Sequence, residues 1–142
     1  GQEKFQAIIK NYIRDVNVCI LVFDVNNMNT FQSLKKWLDH VNKISEKDDI
    51  ILQIVGNKTD LECREVPSEM VYDFCNKNNL EYIECSAKND KNIEDIFYNI
   101  IERVDDLLKQ DKIKLKSYEN FKEVNKIKIN KTNSSSKCCI IS

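Results

Sequence analysis

Residues 50–60 read Ile-Ile-Leu-Gln-Ile-Val-Gly-Asn-Lys-Thr-Asp, an apolar run that passes directly into polar residues. The apolar part is rich in β-branched residues, which is typical of a strand buried on both faces. A similar run covers residues 18–23 and ends at Asp24, and a shorter one covers residues 80–85. The sequence therefore predicts three strands, each followed by a polar loop.

Three apolar stripes at helical spacing alternate with these runs. They consist of Phe31, Leu34, Leu38 and Val41; of Met70, Val71, Phe74 and Cys75; and of Ile93, Ile96, Phe97, Ile100, Ile101, Val104 and Leu108. Asn29 or Thr30 is the expected N-cap of the first helix, and Asn92 is that of the third. Strands separated by helices need right-handed crossovers, so we expect an α/β fold with a parallel sheet. Ligands of such sheets gather at the carboxyl ends of the strands.

Composition narrows the classes of function. With 42% hydrophobic and 32% charged residues among 142, the chain has the composition of one ordinary globular domain. Residues 109–137 contain nine lysines and three acidic residues, whereas the rest of the chain is acidic. A basic segment on an acidic body predicts attraction to an anionic surface and argues against nucleic acid as a partner. We expect residues 109–137 to be a flexible, lysine-rich hypervariable linker.

The cysteines predict neither disulfides nor a zinc site. Cys19, Cys63, Cys75 and Cys85 are scattered singly through patterned segments, without a C-x-x-C pair among them. The one histidine, His40, has no cysteine near it in sequence. We therefore expect a reduced cytosolic setting and no metal ligands in this chain.

The polar loops after the second and third strands carry two short motifs. Residues 57–60 read Asn-Lys-Thr-Asp, and residues 86–88 read Ser-Ala-Lys. Here the chain resembles the Ras superfamily of small GTPases, whose guanine-binding loops read N-K-x-D and S-A-K. One such motif is weak evidence, whereas the pair at the ends of successive parallel strands is specific. The resemblance covers about residues 1–108 and implies the carboxyl-terminal portion of a small GTPase domain with the P-loop GTPase fold.

The resemblance assigns recognition of guanine to Asp60. Its carboxylate would accept hydrogen bonds from the ring N–H and the exocyclic amine of guanine, a donor pair that adenine does not present. A buried carboxylate left unpaired is costly, so the wrong base would be rejected. In the alternative interpretation, Asn57 and Asp60 only form turns and Lys88 is solvated.

The other residues of the two loops have supporting roles by the same resemblance. Asn57 would brace the first loop, the Lys58 stem would lie along the face of the base, and the Ala87 N–H would meet the guanine carbonyl oxygen. Ser86 and Lys88 would hold the second loop in shape. The implied cofactor is GTP or GDP, with Mg²⁺ expected only in the intact protein.

The beginning of the chain extends the resemblance. Gly1-Gln2-Glu3 resembles the start of the second switch of the family, in which Gly1 would sense the γ-phosphate and Gln2 would orient the attacking water. The phosphate loop G-x-x-x-x-G-K-[ST] has no counterpart, because Gly1 and Gly56 are the only glycines. We expect a domain truncated to about three strands, with an unpaired edge on the strand at residues 18–25. Alone, this chain is expected to be marginally stable and unable to hydrolyse GTP.

Residues 138–142 read Cys-Cys-Ile-Ile-Ser and are interpreted as a prenylation tail. Cys139 with two aliphatic residues and a final serine satisfies the prenylation pattern, whereas the pair Cys138-Cys139 resembles Rab tails that carry two geranylgeranyl chains. Both interpretations predict a lipid anchor, and the linker would add attraction to an anionic membrane. The choice between farnesyl and geranylgeranyl stays open.

Within the superfamily the Rab branch fits best. Residues 21–25 read Leu-Val-Phe-Asp-Val and resemble its strand motif, and residues 30–31 with Trp37 resemble the helix that follows. The resemblance implies a cytoplasmic GTP-binding switch of vesicle traffic, anchored peripherally to the cytosolic face of an intracellular membrane. Its partners would be effector, exchange and activating proteins. The alternative is a membrane-tethered interaction module of the same fold that does not hydrolyse GTP.

Overall fold

The fold is a parallel β-sheet with helices on both faces. The computed structural model describes residues 16–44 and 50–110, together with the backbone of residues 138–141. Its strands are β1 (Val18–Asp24), β2 (Ile51–Asn57), β3 (Glu81–Glu84) and β4 (Cys138–Ile141). Its helices are α1 (Met28–Ile44), α2 (Ser68–Lys77) and α3 (Ile93–Lys109). The α/β class predicted from the sequence is confirmed.

The sheet has the order β3-β2-β1-β4, and its strand pairs are parallel. The register of β1 and β2 pairs Asp24 with Asn57, the last residues of the two strands. The register of β2 and β3 pairs Gly56 with Glu84. The carboxyl ends of the three predicted strands therefore lie side by side, which brings the loops after them together.

The strand β4 differs from the expectation. The sequence predicts three strands and an unpaired outer edge on β1, whereas Cys138–Ile141 pairs in parallel with β1 from Val18 to Leu21. The run Cys-Cys-Ile-Ile is apolar and partly β-branched, which suits a short strand. The expectation of an unpaired edge is therefore wrong over this part of β1, because the chain covers it with a segment of its own.

Two buried clusters fix the helices to the sheet. On one face, Leu21 and Phe23 of β1 belong to a cluster completed by α1 and α2. On the other face, Ile20 belongs to a cluster with Ile96 and Ile100 of α3. Neighbouring residues of β1 belong to different clusters because successive side chains of a strand point to opposite faces of the sheet. Each large aliphatic or aromatic side chain buried in this way contributes about 1.5–3 kcal/mol, so the sheet edge that carries the loops is firmly supported.

The starts of two helices differ from the predicted caps. Oδ1 of Asn27 accepts a hydrogen bond from the Asn29 N–H at 3.0 Å. Asn27, rather than the predicted Asn29 or Thr30, therefore caps α1. Asn92 precedes α3 as expected, but it has φ of 58° and makes no side-chain capping bond. Its Nδ2 instead donates to the carbonyl oxygen of Glu84 at 2.8 Å, which ties the helix start to β3.

Several predicted features lie outside the described residues. These are Gly1, Gln2, Ser142 and the linker from residue 111 onwards, and β4 is described by its backbone alone. The helix α3 continues through Lys109, so it overlaps the first residue of the predicted linker. Among the described helices, none combines the length and the apolar character that crossing a bilayer requires.

Candidate functional site

Three loops meet at the carboxyl edge of the sheet, one after each of β1, β2 and β3. The hydroxyl and the N–H of Thr59 both donate to the carbonyl oxygen of Cys85, at 3.0 and 3.2 Å. Oδ1 of Asn57 accepts the N–H of Ala87 at 3.1 Å. These bonds join the Asn-Lys-Thr-Asp loop directly to the Ser-Ala-Lys loop. The two predicted motifs therefore form one site.

Asp60 is held between these two loops. Its Oδ1 accepts a hydrogen bond from Ser86 Oγ at 2.6 Å, whereas the Lys88 Nζ lies 3.8 Å from Oδ2. Only 6% of the Asp60 side chain is exposed, against 76% of the Lys88 side chain. The hydrogen bond from Ser86 lowers the pKa of Asp60, and the positive charge of Lys88 acts in the same direction. The carboxylate is thus ionised at neutral pH, and Oδ2 retains the capacity to accept a hydrogen bond from a ligand.

Lys58 connects the loop after β2 to the loop after β1. Its backbone is left-handed, with φ of 68°, and its Nζ lies 2.6 Å from Oδ2 of Asp24. Nδ2 of Asn26 donates to the Lys58 carbonyl oxygen at 2.9 Å. Burial opposes ionisation of Asp24, but hydrogen bonds from Lys58 and Asn26 outweigh it and lower the pKa of this carboxyl. The Lys58 stem is anchored at both ends, and with 54% of the side chain exposed it remains accessible to a flat ligand.

The structure adds Asp24, Asn26 and Thr59 to the predicted site residues. The sequence contains a signal for Asp24 and Asn26, because both follow a buried strand whose carboxyl end shares an edge with the two motifs. It contains no signal for Thr59, because this residue occupies the unspecified position of the N-K-x-D motif. The role of its hydroxyl is evident only from the structure, in which it donates a hydrogen bond to the carbonyl oxygen of Cys85.

The arrangement suits the edge and the face of a purine. It combines an ionised carboxylate at Asp60, a backbone N–H at Ala87 and the accessible stem of Lys58 in one place. Ala87 differs from the expectation in one respect, because its N–H is already bonded to Asn57 Oδ1. To meet a carbonyl oxygen of a base, this N–H would have to share its hydrogen between Asn57 and the ligand.

A second polar cluster supports the start of the Ser-Ala-Lys loop. Two guanidinium nitrogens of Arg64 donate to the carboxylate of Glu84, the last residue of β3. Ser68 Oγ and the Tyr82 hydroxyl also donate to Glu84 Oε1, at 3.1 and 2.8 Å. The hydrogen bonds from Arg64, followed by those from Tyr82 and Ser68, lower the pKa of Glu84. This cluster holds the end of β3 two residues before Ser86, the hydrogen-bond donor to Asp60.

Comparison with known proteins gives the chain a family. The family model of the Ras family matches residues 1–106. The chain belongs to the Ras family. It is 36% identical over 124 residues to the Ras-related protein Rab-5B of Plasmodium falciparum, covering 87% of this chain and 53% of that protein. It is 37% identical over 142 residues to the Ras-related protein SEC4 of Saccharomyces cerevisiae, covering 98% of this chain and 64% of that protein.

These matches confirm the resemblance to the Ras superfamily that the two motifs indicate, and to its Rab branch, which residues 21–25 and residues 30–31 with Trp37 indicate. The chain spans between half and two thirds of the length of the two relatives. Within residues 16–44 and 50–110, this Ras-family chain has no group of three or more His, Cys, Asp or Glu side chains suited to hold a metal ion.

Replacement of Ser86 by alanine is expected to raise the pKa of Asp60 in this Ras-family chain. The variant removes the hydrogen bond that contributes most to the lowered pKa of this carboxyl. Carboxyl chemical shifts followed by NMR over an acid titration would measure the change. Ser68→Ala is the matched control, because Ser68 donates to Glu84 and has no such bond to Asp60. Equal shifts of the Asp60 pKa in both variants would contradict the assignment.

Acid is expected to destabilise this Ras-family chain through Glu84. The folded-state pKa of Glu84 lies below its ordinary value, so its stabilising contribution is fully present above about pH 4.5 and is lost as the pH falls through the lowered pKa. Glu84→Gln should lower the unfolding free energy at pH 7 by about 1 kcal/mol and flatten its decline in acid. Urea denaturation from pH 7 to pH 3 would measure both effects. An unchanged acid dependence, or the same flattening in the exposed-site control Glu69→Gln, would refute this role.

Proposed function

We propose that this chain supplies the guanine-binding part of a Rab-type switch, which in its complete form binds GTP and GDP and hydrolyses GTP. The observation that carries the proposal is Asp60, a nearly buried carboxylate held by Ser86 at the junction of the two motifs. An ionised acceptor in this position would pair with the ring N–H and the exocyclic amine of guanine. Adenine would leave it unpaired, which favours guanine strongly.

The surrounding residues support this assignment. Asn57 would keep the two loops joined while the base is bound, because its Oδ1 accepts the Ala87 N–H in the structure. The stem of Lys58, tethered by Asp24, would cover one face of the base. Lys88 lies 3.8 Å from the Asp60 carboxylate, so its positive charge would favour the ionised form of this acceptor.

The phosphate side of the proposal rests on the resemblance. Gly1 would sense the γ-phosphate and Gln2 would orient the attacking water, and both lie outside the described residues. Mg²⁺ would accompany the phosphates in the complete protein, where it neutralises the charge that develops during transfer. Hydrolysis therefore requires residues beyond those that form the guanine side.

Attachment to a membrane is the second part of the proposal. Cys138 and Cys139 would carry isoprenoid chains, and the lysines of residues 109–137 would add attraction to anionic lipids. This combination would hold a cytoplasmic switch peripherally on an intracellular membrane engaged in vesicle traffic. Effector, exchange and activating proteins would be the partners through which such a switch acts.

Equilibrium titration with fluorescent nucleotides tests the base preference. The natural full-length protein is expected to bind a GTP analogue at least about a hundred-fold more tightly than the matching ATP analogue. The 142-residue chain alone is expected to bind GTP weakly. Equal affinities of the full-length protein for the two nucleotides would overturn the proposal. Guanine binding without turnover by the full-length protein would instead favour a membrane-tethered interaction module that does not hydrolyse GTP.

A further inference from the structure

The Ser86 hydroxyl links the Ser-Ala-Lys loop to Asp60, and its single proton has a fixed direction. Its oxygen accepts the backbone N–H of Asn89 at 3.1 Å and donates to Oδ1 of Asp60 at 2.6 Å. A backbone N–H can only donate and an ionised carboxylate can only accept, so the hydroxyl proton points at Asp60. Ser86 is 1% exposed, so water has little access to replace either partner. The position of the Asn89 N–H therefore decides how Ser86 presents its proton to Asp60.

The loop that carries the Asn89 N–H is closed by its own backbone. Ser86 and Lys91 exchange two hydrogen bonds, one from the Ser86 N–H at 3.1 Å and one from the Lys91 N–H at 3.0 Å. The residues between them, 87–90, turn back through Asp90, which has φ of 54°. Because this loop is held together as one unit, its direction depends on the residues immediately outside the Ser86–Lys91 pair.

Asn92 fixes this closed loop to the end of β3. The sequence predicts Asn92 as the N-cap of α3, but its side chain makes no capping bond. Its Nδ2 donates instead to the carbonyl oxygen of Glu84 at 2.8 Å. Glu84 lies two residues before Ser86, and Asn92 follows Lys91 directly. The bond between Asn92 and Glu84 therefore crosses the base of the loop and joins its two ends.

The residue type of Asn92 meets two requirements at once. Its backbone has φ of 58° and ψ of 19°, in the left-handed region that asparagine and aspartate adopt more readily than other residues with a Cβ. The bond to Glu84 needs a donor, which asparagine has and an ionised aspartate lacks. Glycine would supply the backbone conformation without the donor. Asparagine therefore provides both the turn and the bond that holds it.

We propose that Asn92 is a positioning residue of guanine recognition, which acts on Asp60 through the loop of residues 86–91 and the Ser86 hydroxyl. The inference deepens the function proposed above and rests on it. While Asn92 holds the base of the loop, the Asn89 N–H stays against Ser86, and Ser86 keeps the Asp60 carboxylate in the orientation that can meet both donors of guanine. Without the Asn92 bond, the loop would turn about its base and Asp60 would be less closely aligned with the ring N–H and the exocyclic amine.

The isosteric variant Asn92→Asp separates positioning from helix capping. Aspartate retains the left-handed preference and caps a helix as well as asparagine does, but it places an acceptor against the Glu84 carbonyl oxygen. A capping role alone predicts unchanged nucleotide affinity in this variant. The positioning role predicts that the affinity of the full-length protein for GTP falls about five-fold, because a hydrogen bond that aligns the site is lost. An unchanged affinity would overturn the proposal.

Inosine triphosphate identifies the part of the ligand that is affected. It has the phosphates and the ring N–H of GTP but lacks the exocyclic amine, so it can use only one of the two donors that Asp60 would accept. In Asn92→Asp, and also in Asn92→Gly, the preference for GTP over inosine triphosphate should fall about three-fold or more. An effect of charge on the phosphates, or partial unfolding, would weaken both nucleotides alike. A preference that stays unchanged would therefore contradict the proposal.

Asn78→Asp is the matched control for these variants. Nδ2 of Asn78 also donates to a backbone carbonyl oxygen from an exposed position, in this case to Phe74 at 2.7 Å near the end of α2. The control therefore undergoes the same chemical change away from the two guanine loops. It should retain both the affinity for GTP and the preference over inosine triphosphate. An equal loss of preference in Asn78→Asp would exclude a specific role of Asn92.

The pKa of Asp60 gives a readout that needs no nucleotide. Asn92→Gly should raise this pKa, measured by NMR in the full-length protein, because a displaced Ser86 stabilises the carboxylate less. In a Ser86→Ala background the same substitution should leave the pKa of Asp60 unaltered, since the path from Asn92 is already broken. Equal rises in the two backgrounds, or no rise in either, would refute the action of Asn92 through Ser86.

The same measurements separate this inference from the function on which it rests. If the unaltered protein binds GTP and ATP equally while Asn92→Gly raises the pKa of Asp60, Asn92 positions Asp60 and the proposed guanine function fails. If the unaltered protein prefers GTP while Asn92→Gly and Asn92→Asp leave the preference and the pKa of Asp60 unchanged, the function stands and the role of Asn92 fails.

Discussion

Replacement of Asp60 by asparagine in the full-length protein is expected to change the base preference from guanine to xanthine. A carboxylate offers two acceptors, whereas an amide offers one acceptor and one donor. Guanine presents two donors to this position, and xanthine presents a carbonyl oxygen in place of the amine. The affinity for GTP should fall about a hundred-fold, and xanthosine triphosphate should become the preferred ligand. Competition titrations with GTP and xanthosine triphosphate would measure this change of preference.

Two further variants isolate the cause of this change. Asp60→Ala should lose GTP affinity without gaining xanthine binding, because alanine offers neither a donor nor an acceptor. Asp73→Asn removes the same charge from an exposed position on α2 and should leave both affinities unchanged. A guanine preference that persists in Asp60→Asn would exclude Asp60 as the residue that reads the base.

Replacement of Gly56 by alanine is expected to destabilise the fold by about 1–3 kcal/mol, as overpacking of a filled core does. A Cβ at this position would lie 2.6 Å from the Tyr82 hydroxyl oxygen, 2.9 Å from Val25 Cγ1 and 3.2 Å from Phe23 Cζ. The Tyr82 hydroxyl cannot retreat freely, because it donates to Glu84 at 2.8 Å. Urea denaturation followed by circular dichroism would measure the loss.

The double variant Gly56→Ala with Tyr82→Phe tests this explanation. It removes the oxygen that makes the shortest contact, so its stability should exceed the value obtained by adding the two single losses. Additive losses would show that Val25 and Phe23, rather than the tyrosine hydroxyl, oppose the extra methyl group. A fully stable Gly56→Ala chain would contradict the packing that the structure describes around β2.

Local patterns in the sequence predict most of the fold. The buried strands β1 and β2 follow from continuous apolar runs. A strand that is covered on both faces exposes no side to solvent, so apolar residues occupy nearly every position instead of alternating with polar ones. The motif at residues 57–60 and the one at residues 86–88 are predictable as one site, because parallel strands place their carboxyl ends together. That prediction needs only strand order, and the hydrogen bond between Ser86 and Asp60 agrees with it.

What the sequence does not predict depends on contacts between distant residues. The pairing of β4 with β1 joins segments more than one hundred residues apart, and no local period indicates such a partner. The Lys58–Asp24 contact likewise depends on how two loops approach each other. The N-cap of α1 could not be chosen from the sequence either. Asn27 and Asn29 are equally suitable by residue type, and only the path of the backbone selects Asn27.

The bonds that fasten Thr59 and Asn57 to the loop after β3 have a kinetic consequence. Because these two loops are already joined, the site has its bound shape before a ligand arrives. Little conformational entropy is therefore lost on binding. Arrival should then be governed by diffusion and collision geometry. The residence time of a bound base should instead depend on how often the Lys58 side chain separates from Asp24. This surface ion pair would then set the rate at which the base dissociates.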